Sequence, residues 1–437
     1  MAWEPNSRKG LQAEVPDNAP LQRRARQILK MNDRGGYTIP ADGLYPFQWN
    51  WDSGITALGL ATFDESRAWR ELEYLFMGQW EHGLLPHIVF HVEDETYFPG
   101  PEQWGVNRSP TTSSIAQPPL LATVAMQLYQ QSENPRATQE ALTRLLPQLI
   151  QSHRYLYRHR DPEGTGLVAS FHPWESGMDN SPAWHEALKR VPEIDWNYQR
   201  RDLQLVASEQ RPSKKDYDRF LYLVDLFASL NFDDEAIYER CPFKVQDVGF
   251  NSVLLRANSD LLSLCEALNF PADVADLRET SERSLNSMRQ LWSEEHSCFF
   301  SRDLVSNELI PVRTTGTLLP LYARAASPAQ AKKMEQALEY WLNRGPYGIA
   351  STHPDEPSYQ RMNYWRGPSW LHINWMISLG LDEYGFEGLA GKLKDVSSEM
   401  LRTSGFCEYY DSQTGKGCGG RDFSWTAATG LFWCLQG

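Results

Sequence analysis

Four segments of the chain combine tryptophan with carboxylates and with glycine or proline. They are "YPFQWNWDSG" (45–54), "WESGMDNSPAW" (174–184), "NYWRGPSW" (363–370) and "GFCEYYDSQTGKGCGGRDFSWTAA" (405–428). Cleavage of a glycosidic bond needs two carboxyl groups, one protonated to assist the leaving oxygen and one ionised. It also needs aromatic walls that exclude water and raise the pKa of the acid. The separate segments could supply one carboxyl each if the fold brings them together.

Each candidate carboxylate also has a purely structural interpretation. Asp52 follows two tryptophans and could cap a helix instead of binding a sugar. Glu175 and Asp179 could both be turn residues, and the pattern alone does not decide which of them would move a proton. Glu408, beside Cys407 and two tyrosines, would be costly in an apolar setting without a task or a partner. A structural ion pair with an arginine would satisfy it equally well.

Aromatic residues are frequent, with 16 Trp and 12% aromatic residues overall. Aromatic platforms hold sugar rings, but indoles also fill protein cores, so the composition raises only a suspicion. Arg366 could stack between Trp365 and Trp370 as part of the structure, or it could bind sugar hydroxyls. The residues alone favour neither interpretation.

The sequence predicts neither a metal site nor a bound cofactor. His87, His91 and Glu93 lie in the strand-like segment "HIVFHVEDE", without the helical HExxH order of zinc hydrolases. No glycine-rich turn follows a strand, which argues against a dinucleotide or phosphate-loop site. No GxSxG nucleophile elbow supports Ser-His-Asp catalysis.

Charge and hydropathy exclude several classes of partner. A net charge of −14 argues against a nucleic-acid or anionic-membrane surface, because either partner needs a basic face. No run approaches the ~18 apolar residues of a membrane span, and the N-terminal 20 residues contain no secretory h-region. The six cysteines show no CxxC pairs, which favours buried free thiols in a reducing cytoplasm. The expected partner is a small molecule, and a homo-oligomer remains open.

The prevailing hydrophobic period is helical, as in "NSVLLRANSDLLSLCEAL", where apolar residues recur three or four positions apart. Strand signals are short, such as "HIVFHV" (87–92). The pattern predicts about twelve helices, near residues 52–62, 64–80, 113–131, 136–158, 217–230, 249–268, 271–293, 315–325, 327–343, 368–380, 386–403 and 424–435.

Twelve helices joined by short turns, with no internal repeat or linker, predict an all-α fold, an (α/α)6 barrel. Residues 1–20 are expected to be a poorly ordered lead-in, and residues 21–437 a single catalytic domain. The polar aromatic segments fall between helices, so they are predicted to form a cap over one mouth of the barrel. The longest of these insertions is 159–216.

The order of several blocks resembles the bacterial members of glycoside hydrolase family 63, in particular the mannosylglycerate and glucosylglycerate hydrolases. The resemblance runs from about Leu21 to the C-terminus, and "WESGMDNSP" together with "QRPSKKDYDR" is its most specific part. The blocks that carry it are "QWNWDSG", "GLLPHIVFH", "YFPGPEQW", "QPP", "WESGMDNSPAW", "QRPSKKDYDRFLYL", "YWRGPSW", "EYYDSQTG" and "DFSWTAA".

The resemblance implies an (α/α)6 barrel, an inverting mechanism and no catalytic metal or other cofactor. It places the general acid at Asp179 and the general base at Glu408, which in an inverting enzyme lie roughly 6.5–9.5 Å apart. Residues implied to hold the sugar are Trp49, Trp51, Asp52, Trp174, Trp365, Trp370 and Trp425, and residues implied to hold the glycerate are Tyr45, His87, Tyr97, Gln117, Arg211 and Tyr217. Tyr364 and Arg366 complete the substrate-binding set.

The resulting hypothesis is an inverting α-glycosidase that releases hexose and glycerate from mannosylglycerate or glucosylglycerate. One alternative is an (α/α)6 α-glucosidase or trehalase-like enzyme that acts on a neutral oligosaccharide. A second alternative is a catalytically silent sugar-binding protein. Cys407 replaces the alanine common in relatives, and the segment 183–209 matches them poorly. The choice of sugar and aglycone therefore stays open.

Overall fold

The computed structural model describes residues 17–436 of the chain, and fifteen α-helices account for most of it. The helices are α1 (Ala19–Asn32), α2 (Asn50–Ala61), α3 (Glu65–Phe76), α4 (Pro101–Trp104), α5 (Leu121–Gln131), α6 (Pro135–Arg160), α7 (His185–Lys189), α8 (Lys214–Ser229), α9 (Asp234–Arg240), α10 (Val248–Ala267), α11 (Ala275–Met288), α12 (Pro328–Arg344), α13 (Leu371–Glu383), α14 (Glu387–Ser404) and α15 (Ser424–Thr429).

The longer helices form two concentric layers. In α2 every residue from Asn50 to Leu60 is buried, and α15 is buried along its whole length, so these helices contact protein on all sides. In α14 the buried positions form one stripe that includes Leu393, Met400 and Leu401, as expected for an outer helix. Inner α2 packs on outer α3, inner α10 on outer α11, and inner α13 on outer α14.

Six elements close the inner ring. Helix α2 contacts α5, α5 contacts α10, and α13 contacts α15, which packs back on α2. Between α10 and α13 the ring is completed by a 3-10 turn, Thr315–Leu318, and the turns that follow it. A Cβ on Gly380 of α13 would lie 2.6 Å from the Leu321 backbone, so this approach needs glycine. The predicted (α/α)6 barrel is confirmed.

Several predicted boundaries are wrong for local reasons. The helix expected from residue 113 begins at Leu121, because Pro118 and Pro119 lack the N–H groups of a helix interior. The helix expected over 315–325 is only a short 3-10 turn. Helix α1 was not predicted. Residues 1–16 of the expected lead-in lie outside the described residues, and Ala19 already belongs to α1.

Ten short strands form four small antiparallel sheets. The sheets have the orders β1-β2-β3, β4-β7-β8, β5-β6 and β10-β9. The strands are β1 (Gln48–Trp49), β2 (Ile88–Phe90), β3 (Thr111–Thr112), β4 (Val245–Gln246), β5 (Trp292–Ser293), β6 (Cys298–Phe299), β7 (Arg302–Asp303), β8 (Glu308–Leu309), β9 (Cys407–Tyr410) and β10 (Gly417–Arg421).

Two of the sheets carry predicted site segments. Strand β2 lies inside the predicted strand 87–92 and pairs with β1, which leads directly into α2. The β9–β10 hairpin carries Glu408 and has an irregular register between Cys418 and Arg421. All six cysteines are buried and free, as predicted. Within residues 17–436, no helix is long and apolar enough to cross a membrane.

Candidate active site

One pocket of about 790 Å³, including its open mouth, gathers residues from all four tryptophan-rich segments. All predicted site residues line it except Arg366 and Trp370. The lining residues are Pro40, Tyr45, Trp49, Trp51, Asp52, His87, Tyr97, Phe98, Gln117, Trp174, Gly177, Asp179, Asp202, Arg211, Pro212, Tyr217, Tyr364, Trp365, Glu408, Phe423 and Trp425.

Trp370 and Arg366 lie behind the pocket wall. The rings of Trp365 and Trp370 stack directly on each other, with centroids 3.8 Å apart and planes 2° from parallel. This stack leaves no room for a guanidinium, so the interpretation in which Arg366 stacks between the two indoles is wrong. Arg366 instead lines a separate surface pocket beside Asn180 and Asp216. Trp370 supports the pocket wall, and Arg366 does not reach the pocket.

The start of α2 places two tryptophans and a carboxyl in the pocket. Trp49 occupies the N-cap position, and the Trp51 amide donates to Gln117 Oε1 at 3.0 Å. Asp52 lies in the first turn and makes no side-chain capping bond. Burial, followed by the charges of Glu408 and Asp179, raises its pKa well above the ordinary range. Because Asp52 lies inside the first turn and makes no capping bond, the capping interpretation is wrong.

Glu175 anchors the loop that carries the other candidate carboxyl. It is almost fully buried and forms an ion pair with Arg160 at 3.0 Å. One oxygen accepts from the Ala116 amide at 3.1 Å, and the other accepts from the Phe171 amide at 2.6 Å. Because all of these partners are structural, Glu175 positions the loop. Burial, not Glu175, is the leading cause of the raised pKa of Asp179.

The same loop is fixed on both sides of Asp179. Trp184 is a buried core residue, and it donates its indole N–H to the Met178 carbonyl at 2.9 Å. Gly177 has φ 69°, and a Cβ there would lie 2.7 Å from the Trp51 ring. Only glycine allows the loop to turn this close to the indole.

Asp179 has the properties of a proton donor. Its carboxyl makes no hydrogen bond to another side chain of the described residues. Its pKa is raised to about 8, chiefly by burial and in smaller part by the charge of Glu408, while Arg211 opposes the rise. A carboxyl with this pKa keeps its proton at neutral pH and can give it to a leaving group.

Glu408 has the opposite environment. Its Oε1 accepts from the hydroxyls of Tyr45 at 3.0 Å and Tyr364 at 3.3 Å. Its Oε2 accepts from Arg211 Nη2 at 3.3 Å and from the Gly420 amide at 2.9 Å. Four donors, one of them cationic, stabilise the ionised carboxylate. Glu408 does form an ion pair with an arginine, as the purely structural interpretation expected. Both residues line the pocket, however, so the pair also belongs to the candidate site.

Arg211 is the one arginine or lysine that lines the pocket within residues 17–436. Its Nη1 donates to the Tyr45 hydroxyl at 2.7 Å, and its guanidinium lies 4.8 Å from the centre of the Tyr364 ring. Its buried Nε has no hydrogen-bond partner among the described residues, and Asp202 Oδ2 lies 3.8 Å away. The Nε–H is therefore buried without an acceptor at hydrogen-bond distance in the described residues.

Apart from Asp202, the remaining wall is mostly aromatic and carries no charged side chain. Trp174 stacks on His87 with centroids 6.2 Å apart, and burial lowers the pKa of His87 well below its ordinary value. Tyr97 meets Trp49 edge-on at 5.3 Å. Tyr217 donates its hydroxyl to the Phe98 carbonyl at 3.0 Å. Such a wall excludes water and gives apolar faces for a sugar ring.

Metal chemistry finds no support in the part of the chain that the structure describes. No group of three His, Cys, Asp or Glu residues there is arranged to hold a metal ion. His87 Nδ1 lies 2.6 Å from Ser113 Oγ, whereas His91 Nε2 lies 2.7 Å from Gln48 Oε1. The two histidines of "HIVFHVEDE" thus serve separate hydrogen bonds.

Sequence reasoning missed six pocket residues. Phe423 lies in the recognised block "DFSWTAA", and its place next to Trp425 was a usable signal. Asp202 had no such signal, because it lies in the poorly matching segment 183–209. The remaining residues are Pro40, Phe98, Gly177 and Pro212.

The family model of the mannosylglycerate hydrolase MGH1-like glycoside hydrolase domain matches residues 45–426. The chain belongs to this family of glycoside hydrolases. The match begins just before β1, ends within α15 and includes every predicted site residue. The two carboxyls and the aromatic wall therefore lie in the pocket of a glycoside hydrolase.

Individual members of the family are similar over nearly the full chain. The mannosylglycerate hydrolase of Thermus thermophilus is 46% identical over 94% of this chain and 99% of its own length. The glucosylglycerate hydrolase of Mycolicibacterium hassiacum is 33% identical over 94% of this chain and 97% of its own. A crystal structure of a family 63 mannosylglycerate hydrolase from Thermus thermophilus, in complex with Tris and D-glycerate, superposes with a TM-score of 0.92, at 46% identity, over 94% of this chain and 99% of that chain.

Proposed function

We propose that the protein hydrolyses the α-glycosidic bond of mannosylglycerate or glucosylglycerate and inverts the anomeric carbon. The observation that carries this proposal is the pairing of Asp179, a carboxyl whose pKa is about 8, with Glu408, a carboxylate held by four donors. Both line one aromatic pocket. Relatives named for hydrolysis of these two glycosides share the fold and most of the chain.

Asp179 and Glu408 have complementary roles in this reaction. Asp179 gives its proton to the oxygen that bridges the anomeric carbon and the glycerate. Glu408 takes a proton from a water molecule as the oxygen of that water attacks the opposite face of the same carbon. The carbon–oxygen bond to glycerate breaks as the new bond forms, so water and glycoside give hexose and glycerate. Proton exchange with solvent then restores both carboxyls.

The sugar is held by the wall around α2 and the 363–370 segment. Trp51, Trp365 and Trp425 form a contiguous aromatic surface, with Trp51 6.2 Å from Trp365 and 5.9 Å from Trp425. Asp52 lies beside this surface in the pocket. A carboxyl accepts hydrogen bonds through both oxygens and also donates one when it carries a proton, which suits adjacent sugar hydroxyls.

Arg211 supplies the positive charge for the glycerate carboxylate. Its two terminal nitrogens are engaged with Tyr45 and Glu408, and its guanidinium lines the pocket as the one arginine or lysine side chain of residues 17–436 there. The neighbouring phenols of Tyr97 and Tyr217, the amide of Gln117 and neutral His87 offer uncharged hydrogen-bonding groups. A charge-assisted bond from arginine favours an anionic aglycone over a neutral one.

Replacing Arg211 is expected to remove the preference for an anionic aglycone. In Arg211→Ala, kcat/KM for mannosylglycerate should fall by about 10²-fold more than kcat/KM for methyl α-mannoside, because one buried charge-assisted contact is lost. In addition, kcat/KM should fall for both substrates by a common factor, because Glu408 loses a hydrogen-bond donor. The measurement compares the two substrates with the two enzymes. An equal loss on both substrates would remove the carboxylate contact from the account.

The pKa of Asp179 sets the alkaline limit of activity. The reaction needs the protonated carboxyl, so activity is present below pH 8 and lost as pH rises through about 8. Above that point kcat/KM should fall roughly tenfold per pH unit, because the protonated fraction does. A pH–rate profile with mannosylglycerate tests this expectation. An activity that stays flat to about pH 10 would exclude Asp179 as the acid.

We propose further that residues 21–437 form one catalytic domain that acts in the cytoplasm. The first of three hydrophobic clusters includes residues from Ala25 to Leu435, so the two ends of the described chain share one core, which supports one folding unit. Six buried free thiols suit a reducing compartment. Cell fractionation tests the location, and a single cooperative unfolding transition tests the domain.

A further inference from the structure

Asp202 places a carboxylate at the end of the pocket where the proposed function needs a positive charge. It lies in the α7–α8 connection (residues 190–213), lines the pocket, and approaches the unpartnered Nε of Arg211 to 3.8 Å. This distance is too long for a hydrogen bond but short enough for a strong charge interaction. An isolated Asp202 would repel a glycerate carboxylate or compete with it for Arg211.

Arg200 holds Asp202 in a two-bond pair. Its Nε donates to Asp202 Oδ1 at 3.0 Å, and its Nη2 donates to Oδ2 at 2.5 Å. Its remaining nitrogen, Nη1, donates to the Pro212 carbonyl at 2.6 Å, and the guanidinium stacks on the Tyr217 ring at 4.3 Å. Arg200 is almost fully buried and does not line the pocket. Every donor edge of Arg200 is thus committed to the protein.

We propose that Arg200 is a specificity-determining positioning residue that neutralises Asp202 and so makes the pocket tolerant of an anionic aglycone. The inference rests on the proposed function, because it explains how the pocket accepts the carboxylate of a glycerate glycoside. Arg200 never touches the substrate. Its charge offsets that of Asp202, and its two bonds hold both carboxylate oxygens, so that Asp202 Oδ2 stays 3.8 Å from Arg211 Nε, beyond hydrogen-bond distance. Asp202 then does not neutralise Arg211, and the charge of Arg211 can interact with the carboxylate of the aglycone.

This arrangement predicts that the effect of losing Arg200 depends on the Asp202 charge. In Arg200→Gln, the released carboxylate either repels the aglycone or pairs with Arg211, and both outcomes disfavour an anion. KM for mannosylglycerate should rise by about tenfold or more, whereas KM for methyl α-mannoside should change less than about threefold. In the double variant Arg200→Gln/Asp202→Asn, the ratio of KM for mannosylglycerate to KM for methyl α-mannoside should return to the ratio measured for Asp202→Asn alone.

A purely structural latch gives a different pattern. If Arg200 only tied the connection to α8, Arg200→Gln would impair both substrates alike, and the double variant would be no better than the single variant. The proposal is overturned by an equal impairment of both substrates, and it is also overturned by a double variant that is no better than the single variant. Arg190 offers a matched control, because it forms the same two-bond pair with Asp303, at 2.7 and 2.8 Å, in the same connection but away from the pocket. Arg190→Gln should leave the ratio of the two KM values unchanged.

The proposal stays testable if Arg200→Gln does not fold. Asp202→Asn and the double variant then suffice, because without the Asp202 charge the presence of Arg200 should not matter. The two should show the same ratio of KM values for mannosylglycerate and methyl α-mannoside. A weaker preference for the anion in the double variant would mean that Arg200 acts on the substrate directly, which overturns the proposal. Wild-type hydrolysis of mannosylglycerate, measured in the same experiment, tests the proposed function separately.

Discussion

Glu408→Gln is expected to lower kcat for mannosylglycerate by about 10⁴-fold, the upper range for loss of a general base. The amide keeps the size of the side chain but cannot take a proton from water. The four donors around Glu408 are arranged for a carboxylate, so the variant also loses the charge that pairs with Arg211. Steady-state kinetics with mannosylglycerate measures the effect.

A substrate with a better leaving group separates this loss from a defect in the acid. Fluoride leaves without a proton, so α-mannosyl fluoride bypasses proton donation but still needs an activated water. Glu408→Gln should therefore remain inactive on the fluoride as well. The circular dichroism spectrum and the binding of D-glycerate should show that the variant folds. Normal turnover of either substrate would contradict the assignment of the base.

Asp179→Asn is expected to produce the complementary pattern. Hydrolysis of mannosylglycerate should fall by about 10³- to 10⁴-fold, because the glycerate oxygen then leaves without a proton. Turnover of α-mannosyl fluoride should fall by less than about tenfold, because this leaving group needs no acid. With the fluoride, neither the wild type nor the variant should show the decline above pH 8 that the wild type shows with mannosylglycerate.

Two outcomes would contradict the role of Asp179. An equal loss on both substrates would show that it positions the sugar or the water and is not the acid. Full activity on mannosylglycerate would show that it is not needed. Because Asp179 makes no side-chain hydrogen bond within the described residues, replacement by Asn breaks no structural contact there. Thermal unfolding should therefore occur near the wild-type temperature.

The regular part of the fold was predictable from hydrophobic spacing. Helices such as α10 and α14 bury apolar residues three or four positions apart, and this spacing is visible in the sequence. The segment 315–325 was not predictable in this way. Its apolar residues have a helical spacing, but Pro320 and the tight contact with Gly380 replace an inner helix with turns.

The site was predictable in its residue types but not in its division of roles. Glu175 and Asp179 lie four positions apart in one loop with the same composition. The Ala116 amide and the Arg160 side chain, both distant in sequence, engage Glu175 in structural bonds and leave Asp179 in the pocket. The local sequence around Glu175 and Asp179 contains neither of these two partners of Glu175. The resemblance assigned the roles because it includes the three-dimensional context of relatives.

The role of Asp202 could not be predicted from the sequence, for a different reason. Its partners Arg200 and Arg211 lie close in sequence, yet a run of charges in a long loop usually indicates a solvated surface. Its place in the pocket depends on the path of the α7–α8 connection, which neither periodicity nor family resemblance described. The residues that set aglycone preference are thus less predictable than those that perform the chemistry.

The anomeric configuration of the first product tests the central claim most directly. The purified chain is mixed with α-mannosylglycerate, and proton NMR spectra are recorded before mutarotation equilibrates the hexose. Protonation by Asp179 on one face and attack by water from Glu408 on the other predict that β-mannose appears first, together with glycerate. Initial release of α-mannose would contradict the inverting acid–base pair, and no release from either glycerate glycoside would contradict the proposed function.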